Sequence, residues 1–364
     1  MKNESVLFTP ITIGGIEITN RFVRSATHDY MAGRDGSVTD REVSLYSELA
    51  QGEIGLIVSG HAYVSPSGKA SPFQIGAYSD DLIEGLSGIS KAVHENGGTI
   101  FLQIAHAGRQ TKAKLCGCTP LAPSAVYEPT FDVTPVEMSP EDIKRVIDDF
   151  IQAARRAREA GFDGVQLHMA HGYLLSSFLS PHTNRRTDEW GGTLQNRLRA
   201  ATGIIRGISD LLGNDCPLIV KLNSTDLFDG GLTVEESIEA AVILEQHGIE
   251  AIEVSGGITE GGMGPIWKGP LKEEGYFVSN AERIKKAVAI PVFGLGGLRT
   301  LSVMERIVQN GRADMISMCR PFIRDPHIVK KFHEGRAAGS DCTSCNGCFN
   351  VRGIRCSLVR PAVQ

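Results

Sequence analysis

Two histidines and a tyrosine fall together where a short apolar run ends. In the stretch GFDGVQLHMAHGY, residues 161 to 173, His168, His171 and Tyr173 follow a run containing Val165 and Leu167. Met169 and Ala170 place nothing polar between the imidazoles, so both can face one cavity if the chain turns there. Two imidazole N–H groups can donate to a single oxygen and polarise a carbonyl, and a phenol nearby can deliver a proton. A plainer reading stays open, with one histidine bracing a loop and Tyr173 a core aromatic. A zinc pair would lack a third ligand nearby.

A second set of residues suits a phosphate. Gly294, Gly296 and Gly297 precede Cys319 and Arg320, which follow the apolar run ADMISM. Gly-rich turns free backbone amides, and an arginine at the start of a short helix adds charge. The alternative is two tight turns with no ligand. GLGGLR lacks the spacing of a dinucleotide fingerprint. Gln103 in FLQIAHAG and Lys221 in IVKLN place polar groups where apolar ones would serve. If the phosphate belongs to flavin mononucleotide, the amide can pair with the pyrimidine edge of its ring. The ammonium can then stabilise negative charge on the reduced ring.

The third set is CTSCNGCFNVRGIRC, containing Cys342, Cys345, Cys348 and Cys356. This spacing suggests an iron–sulfur cluster, with a closed zinc site or free thiols as alternatives.

The elements that must carry these residues alternate. Residues 7 to 20 read as a hairpin turning at Gly14-Gly15, placed to plug a barrel. Strands are expected at 22–26, 55–59, 99–104, 161–168, 218–222, 251–254, 291–294 and 313–318. Helices are expected from Thr39 or Asp40, at 80–95, to Ala160 from the Ser139-Pro140 cap, and at 193–212, 234–247, 281–288 and 301–309. Eight strand-then-crossover units favour a closed (β/α)8 barrel over an open sheet, since no stretch has the charged, interrupted character of an edge. In such a barrel the chemistry sits at the carboxyl ends of the strands, where the first two sets of residues fall.

The chain has 364 residues and a formal net charge of −5 with both signs mixed, which removes the electrostatic case for nucleic-acid binding. No apolar stretch reads as a signal peptide or a membrane span, so the expectation is a cytoplasmic protein with no membrane association. Two parts are expected, a barrel over residues 1–335 and a cysteine-rich tail over 336–364 packed on it.

The stretches LFTPITIGG, NRFVRSAT, QIAHAGR, HMAHGYLLSSFLSPHTNRRTDEWGG and ADMISMCRPFIRDP resemble the Old Yellow Enzyme family of FMN-dependent oxidoreductases, over residues 7 to about 335. Within it the chain looks like the branch related to 2,4-dienoyl-CoA reductase, whose barrel is followed by a cluster-binding cysteine segment. That resemblance implies that Ser25, Ala26 and Thr27 approach the flavin and that Gln103 and Lys221 contact its ring. Family members commonly carry arginine where Lys221 stands, so the charge survives without the planar fork. Gly296, Gly297, Cys319 and Arg320 would surround the phosphate, with Gly256 nearby. His168 and His171 match the pair that activates the substrate carbonyl, and Tyr173 matches the proton donor. His28 falls where related enzymes tune the flavin or substrate, Tyr30 falls on the substrate side, and Arg109 looks structural or substrate-side. A homo-oligomer is also implied.

The dienoyl-CoA reductases space their last cysteines more widely and continue into FAD- and NAD(P)H-binding domains. Here the sequence given ends at Gln364, so hydride is expected to reach FMN directly from NAD(P)H, or electrons through a 4Fe-4S cluster from a partner protein. The preferred reading is an ene reductase acting on an enone or enoyl compound. An FMN/iron–sulfur dehydrogenase of amines or alicyclic compounds and a non-catalytic binding protein are the alternatives.

Overall fold

A computed structural model describes residues 5–213, 215–261, 273–351 and 353–359. Eight parallel strands close on themselves: Phe22–Arg24, Leu56–Val58, Ile100–Ala105, Gly164–Met169, Leu218–Asn223, Ile252–Ser255, Val292–Gly294 and Met315–Met318. The last pairs with the first, Ser317 opposite Val23, which completes the expected (β/α)8 barrel. Most strands are buried along their whole length, as parallel strands covered by helices must be.

The hairpin Ile11–Ile13 and Ile16–Ile18 turns through Gly14 and Gly15, both at positive φ. A Cβ on Gly14 would lie 2.5 Å from the Pro217 side chain, so the turn sits beneath the start of the fifth barrel strand. Ile13 and Ile18 pack there against Val23, Leu56, Phe101, Ile219 and Phe293, an apolar cluster that fills the lower barrel. Chemistry is thereby confined to the opposite end.

Outside the barrel, the helix Pro140–Glu159 starts as its sequence requires. Ser139 Oγ accepts from Asp142 N–H at 3.1 Å, Asp142 accepts the Ser139 N–H at 3.0 Å, and Pro140 occupies the first turn. Its apolar stripe of Ile143, Val146, Phe150, Ala153 and Ala157 faces the core at helical spacing. Burial of Phe150 alone contributes about 2–3 kcal/mol.

Strand and helix ends differ from expectation by one to three residues, as where the fourth strand begins at Gly164 rather than Gly161. Helices Leu174–Leu179 and Ile328–His333 were not anticipated, while the short helix expected after Cys319 is Arg320–Arg324. Leu174–Leu179 is buried throughout, so no polar face marked it in the sequence. No helix among the described residues is long and apolar enough to cross a membrane.

Candidate active site

Strand register builds the site. Lys221 pairs with His168 on one side and Glu253 on the other, and Gln103 pairs with Gln166, so side chains from four neighbouring strands share the barrel interior above the apolar plug. Glu253 is fully buried and sits at the centre of this polar layer. Ser25 Oγ and Ser317 Oγ each donate to its Oε1 at 2.6 Å, Gln166 Nε2 donates to its Oε2 at 3.0 Å, and Lys221 Nζ lies 3.4 Å from Oε1. Although burial opposes ionisation, the ammonium and three hydrogen bonds hold the carboxyl below the usual range, so Glu253 is a carboxylate.

That charge orients the amides. A carboxylate only accepts, so Gln166 must present Nε2 to it and turn Oε1 outward. Gln103 Nε2 donates to this oxygen at 2.7 Å, which leaves Gln103 Oε1 as the acceptor end of the row. Lys221 donates to Ser25 Oγ at 2.8 Å. With Ser25 and Glu253 engaged, one of the three ammonium N–H groups is spare among the described residues.

Above this layer the rings gather. The His168 and His171 centroids are 5.3 Å apart, and those of His168 and Tyr173 are 4.7 Å apart. His171 has φ 64°, a conformation rare outside glycine, and Gly172 follows at φ 82°. The strained turn is held from three sides. His171 N–H donates to Asn223 Oδ1 at 3.3 Å, Gln110 Nε2 donates to His171 O at 2.8 Å, and His171 Nε2 lies 2.7 Å from Ser255 Oγ. Strain kept at a turn that carries two convergent imidazoles marks a functional site.

Burial lowers the imidazole pKa of His168 well below its ordinary value, with His171, Lys221 and His61 adding to the effect, and lowers that of His171 to about 3. Both rings are therefore neutral, and His168 Nδ1 is a buried nitrogen with no partner among the described residues. Burial also raises the Tyr173 phenol, so it keeps its proton at neutral pH.

The His28 and Tyr30 ring centroids lie 3.7 Å apart with the planes tilted, Tyr30 lies at φ 54°, and His28 Nε2 contacts Ser71 Oγ. Ser25 continues the first strand, its N–H donating to Met318 O at 2.8 Å, and Thr27 Oγ1 lies 3.1 Å from Cys319 Sγ. Arg109 is fully buried, donating to Tyr127 O and pairing with Glu260.

At the other end of the mouth, Gly296 and Gly297 have φ 128° and 69°. Their carbonyls accept from Gly275 N–H and Arg299 Nη1, and their N–H groups donate to no described residue. A Cβ on Gly256 would lie 2.7 Å from the Phe277 ring, which explains glycine there by packing. Arg320 Nη1 donates to Asn346 Oδ1 at 2.8 Å and contacts Ser344 O, and its guanidinium also neighbours Tyr276, which packs on the Gly296-Gly297 turn. The residues present suit FMN at both ends. The acceptor end of Gln103, the spare Lys221 donor and the unpartnered His168 nitrogen lie in one half, and the N–H groups of the Gly296-Gly297 turn lie in the other.

The expected cluster is corrected by the geometry of the tail. Among the described residues no three His, Cys, Asp or Glu side chains are arranged to hold a metal ion, and Cys342, Cys345, Cys348 and Cys356 are all free. Neither an iron–sulfur cluster nor zinc is supported, and electron delivery through this segment loses its basis. Cysteine spacing in the sequence carries no information on how the side chains converge.

Reasoning from sequence missed Glu253, Gln166 and His61. The first two are lone polar residues inside apolar strand runs. His61 follows the second strand by three residues, a placement that resembles that of His171 after the fourth. It lies 5.4 Å from the Tyr173 ring and 6.3 Å from His168, nearly parallel to it.

Residues 6–339 match the profile of the NADH:flavin oxidoreductase / NADH oxidase family. The chain belongs to this flavoprotein family, the Old Yellow Enzyme group. It is 39% identical over 361 residues to an NADH oxidase of Thermoanaerobacter brockii, covering 97% of this chain and 55% of that protein. It is 38% identical over 325 residues to an NADPH dehydrogenase of Bacillus subtilis (strain 168), covering 89% and 93% respectively. A solved 2-naphthoyl-CoA reductase in complex with 2-naphthoyl-CoA superposes with a TM-score of 0.88 at 35% identity, covering 94% of this chain and 54% of that one. The chain thus spans about half the length of two of these relatives.

Proposed function

We propose that the protein is an FMN-dependent ene reductase, using NAD(P)H to saturate the activated C=C bond of an α,β-unsaturated carbonyl compound. The observation that carries this reading is the gathering of two neutral imidazoles and a protonated phenol at the carboxyl end of the barrel strands. Bound FMN supplies a ring that takes up a hydride from NAD(P)H and passes it to an electron-poor carbon.

Gln103 and Lys221 would hold the ring edge, Ser25, Ala26 and Thr27 its near side, and Gly296 and Gly297 the phosphate, with Gly256, Cys319 and Arg320 around them. His168 and His171 donate hydrogen bonds to the substrate carbonyl oxygen, which draws electron density from the β-carbon. Being neutral, each imidazole offers one N–H without placing a full charge in a buried site. Tyr173 gives its proton to the α-carbon. His28 and Tyr30 border the space the substrate occupies.

Kinship with the branch related to 2,4-dienoyl-CoA reductase belongs to the same proposal. The match to the longer NADH oxidase takes in 361 residues and so includes the cysteine-rich tail, whereas the match to the shorter NADPH dehydrogenase takes in 325. An acyl-CoA thioester relative such as the naphthoyl-CoA enzyme makes enoyl thioesters suitable test substrates beside simple enones.

The test is direct. Protein reconstituted with FMN should lose its yellow colour on anaerobic addition of NADH or NADPH and regain it when 2-cyclohexenone or an enoyl-CoA is added. Failure to bind FMN, or reduced protein that none of these acceptors reoxidises, overturns the reading.

A further inference from the structure

His61 has a fixed tautomer, and the hydrogen bonds around it decide which. Ala70 N–H donates to Gln74 Oε1 at 2.8 Å, which sets the orientation of the Gln74 amide. Its nitrogen then lies 2.7 Å from His61 Nδ1 and 3.0 Å from His61 O. An amide nitrogen only donates, so Nδ1 is the accepting nitrogen and the ring proton sits on Nε2. That Nε2 lies 3.4 Å from Tyr173 Oη. The loop just before His61 is held as well, since Gly60 N–H donates to Tyr46 Oη at 2.7 Å and Tyr46 Oη donates to Asp29 Oδ2 at 2.7 Å.

We infer that His61 is a positioning residue for Tyr173, its Nε2–H directed at the phenol oxygen so that the phenol's own proton is left for the substrate. This rests on the reading of Tyr173 as proton donor. Had the tautomer been the other one, Tyr173 would donate to His61 and its proton would point away from the cavity. During turnover the Tyr173 Oη–H bond breaks as a C–H bond forms at the α-carbon. The hydride taken up from NAD(P)H reaches the β-carbon, the substrate gains two electrons, and the flavin is reoxidised. The phenolate left behind accepts the Nε2–H bond until it regains a proton from water.

The surroundings support a neutral donor at this place. His28, His168, Tyr173 and Lys221 face the ring, and burial together with the Lys221 ammonium lowers its pKa to about 4. A bond of 3.4 Å is long, and it strengthens as the oxygen takes on negative charge, because a charged acceptor draws its donor in. Stabilisation that grows with that charge acts on the transfer step rather than on binding.

The test uses the FMN-loaded protein and rapid mixing. His61→Leu should slow reoxidation by the enone about 10- to 100-fold, while flavin reduction by NAD(P)H stays within about twofold. His61→Gln, whose amide can still donate, should recover much of the loss. Combining His61→Leu with Tyr173→Phe should be no slower than Tyr173→Phe alone, since both act on one proton. Independently of activity, 15N NMR of histidine-labelled protein should show the Nε2–H tautomer for His61, and Gln74→Glu should convert it to Nδ1–H. Equal loss in both half-reactions, additive losses in the double variant, or an Nδ1–H tautomer in the wild type would each overturn the inference. If Tyr173→Phe alone leaves reoxidation unchanged, the proton-donor reading fails first and this one with it.

Discussion

Lys221 Nζ lies 3.4 Å from Glu253 Oε1, and both side chains are closed off from solvent. A buried ion pair is a poor source of net stability, but removing one partner strands the other charge. Glu253→Ala should therefore destabilise the protein by about 3–5 kcal/mol in urea unfolding and weaken FMN retention, because the amide row from Gln103 loses its anchor. Lys221→Arg should keep both properties far better than Lys221→Met. Equal behaviour of these two lysine variants would mean that the charge has no role.

Buried neutral histidines make stability depend on pH. His106 is 1% exposed with its pKa lowered to about 3 by burial, and burial also holds His168 well below its ordinary value. Between those values and the unfolded value of about 6.5 the unfolded chain binds more protons, so stability falls as pH drops below about 6.5. The lowered Glu253 acts in the same direction at more acid pH, since its contribution is present above the unfolded carboxyl value and is lost as pH falls through the folded one. Urea midpoints should decline from pH 7.5 to pH 5, by up to about 1.4 kcal/mol per pH unit for each such histidine. A flat profile would mean that these rings titrate normally.

The Gly296 turn tolerates no side chain. At φ 128° a Cβ would stand 2.7 Å from Tyr276 N. Gly296→Ala should cost about 1–3 kcal/mol, seen as a lower melting temperature and a higher FMN dissociation constant by fluorescence titration. An unchanged constant would place the phosphate elsewhere.

Tyr46 connects a buried ion pair to the loop that carries His61. Arg24 Nη2 pairs with Asp29 Oδ1 at 2.8 Å, and Tyr46 bridges Asp29 and the Gly60 N–H. Tyr46→Phe leaves a buried donor and a buried acceptor unmet, so a loss of about 1–3 kcal/mol in stability is expected, with slower enone reduction. Thermal unfolding and a steady-state assay would show both.

Barrel topology was readable because parallel strands covered on both faces are short apolar runs, and the helices between them begin at caps such as Ser139-Pro140. His168, His171 and Tyr173 were readable because they close such a run. Glu253 was not, since one glutamate in AIEV looks like a break in a pattern, and only the register shows that it meets Lys221. His61 was hidden for a related reason: its partner Tyr173 lies 112 residues away in the chain. The cysteine tail failed in the opposite way, because its spacing suggested a metal site and its side chains do not form one.

The central claim is that Tyr173 delivers the proton while His168 and His171 hold the carbonyl. Anaerobic stopped-flow on Tyr173→Phe tests it most directly. Flavin reduction by NAD(P)H should proceed at close to the wild-type rate, and reoxidation by the enone should slow by about 100-fold or more. A variant slowed equally in both half-reactions, or in neither, would contradict the account.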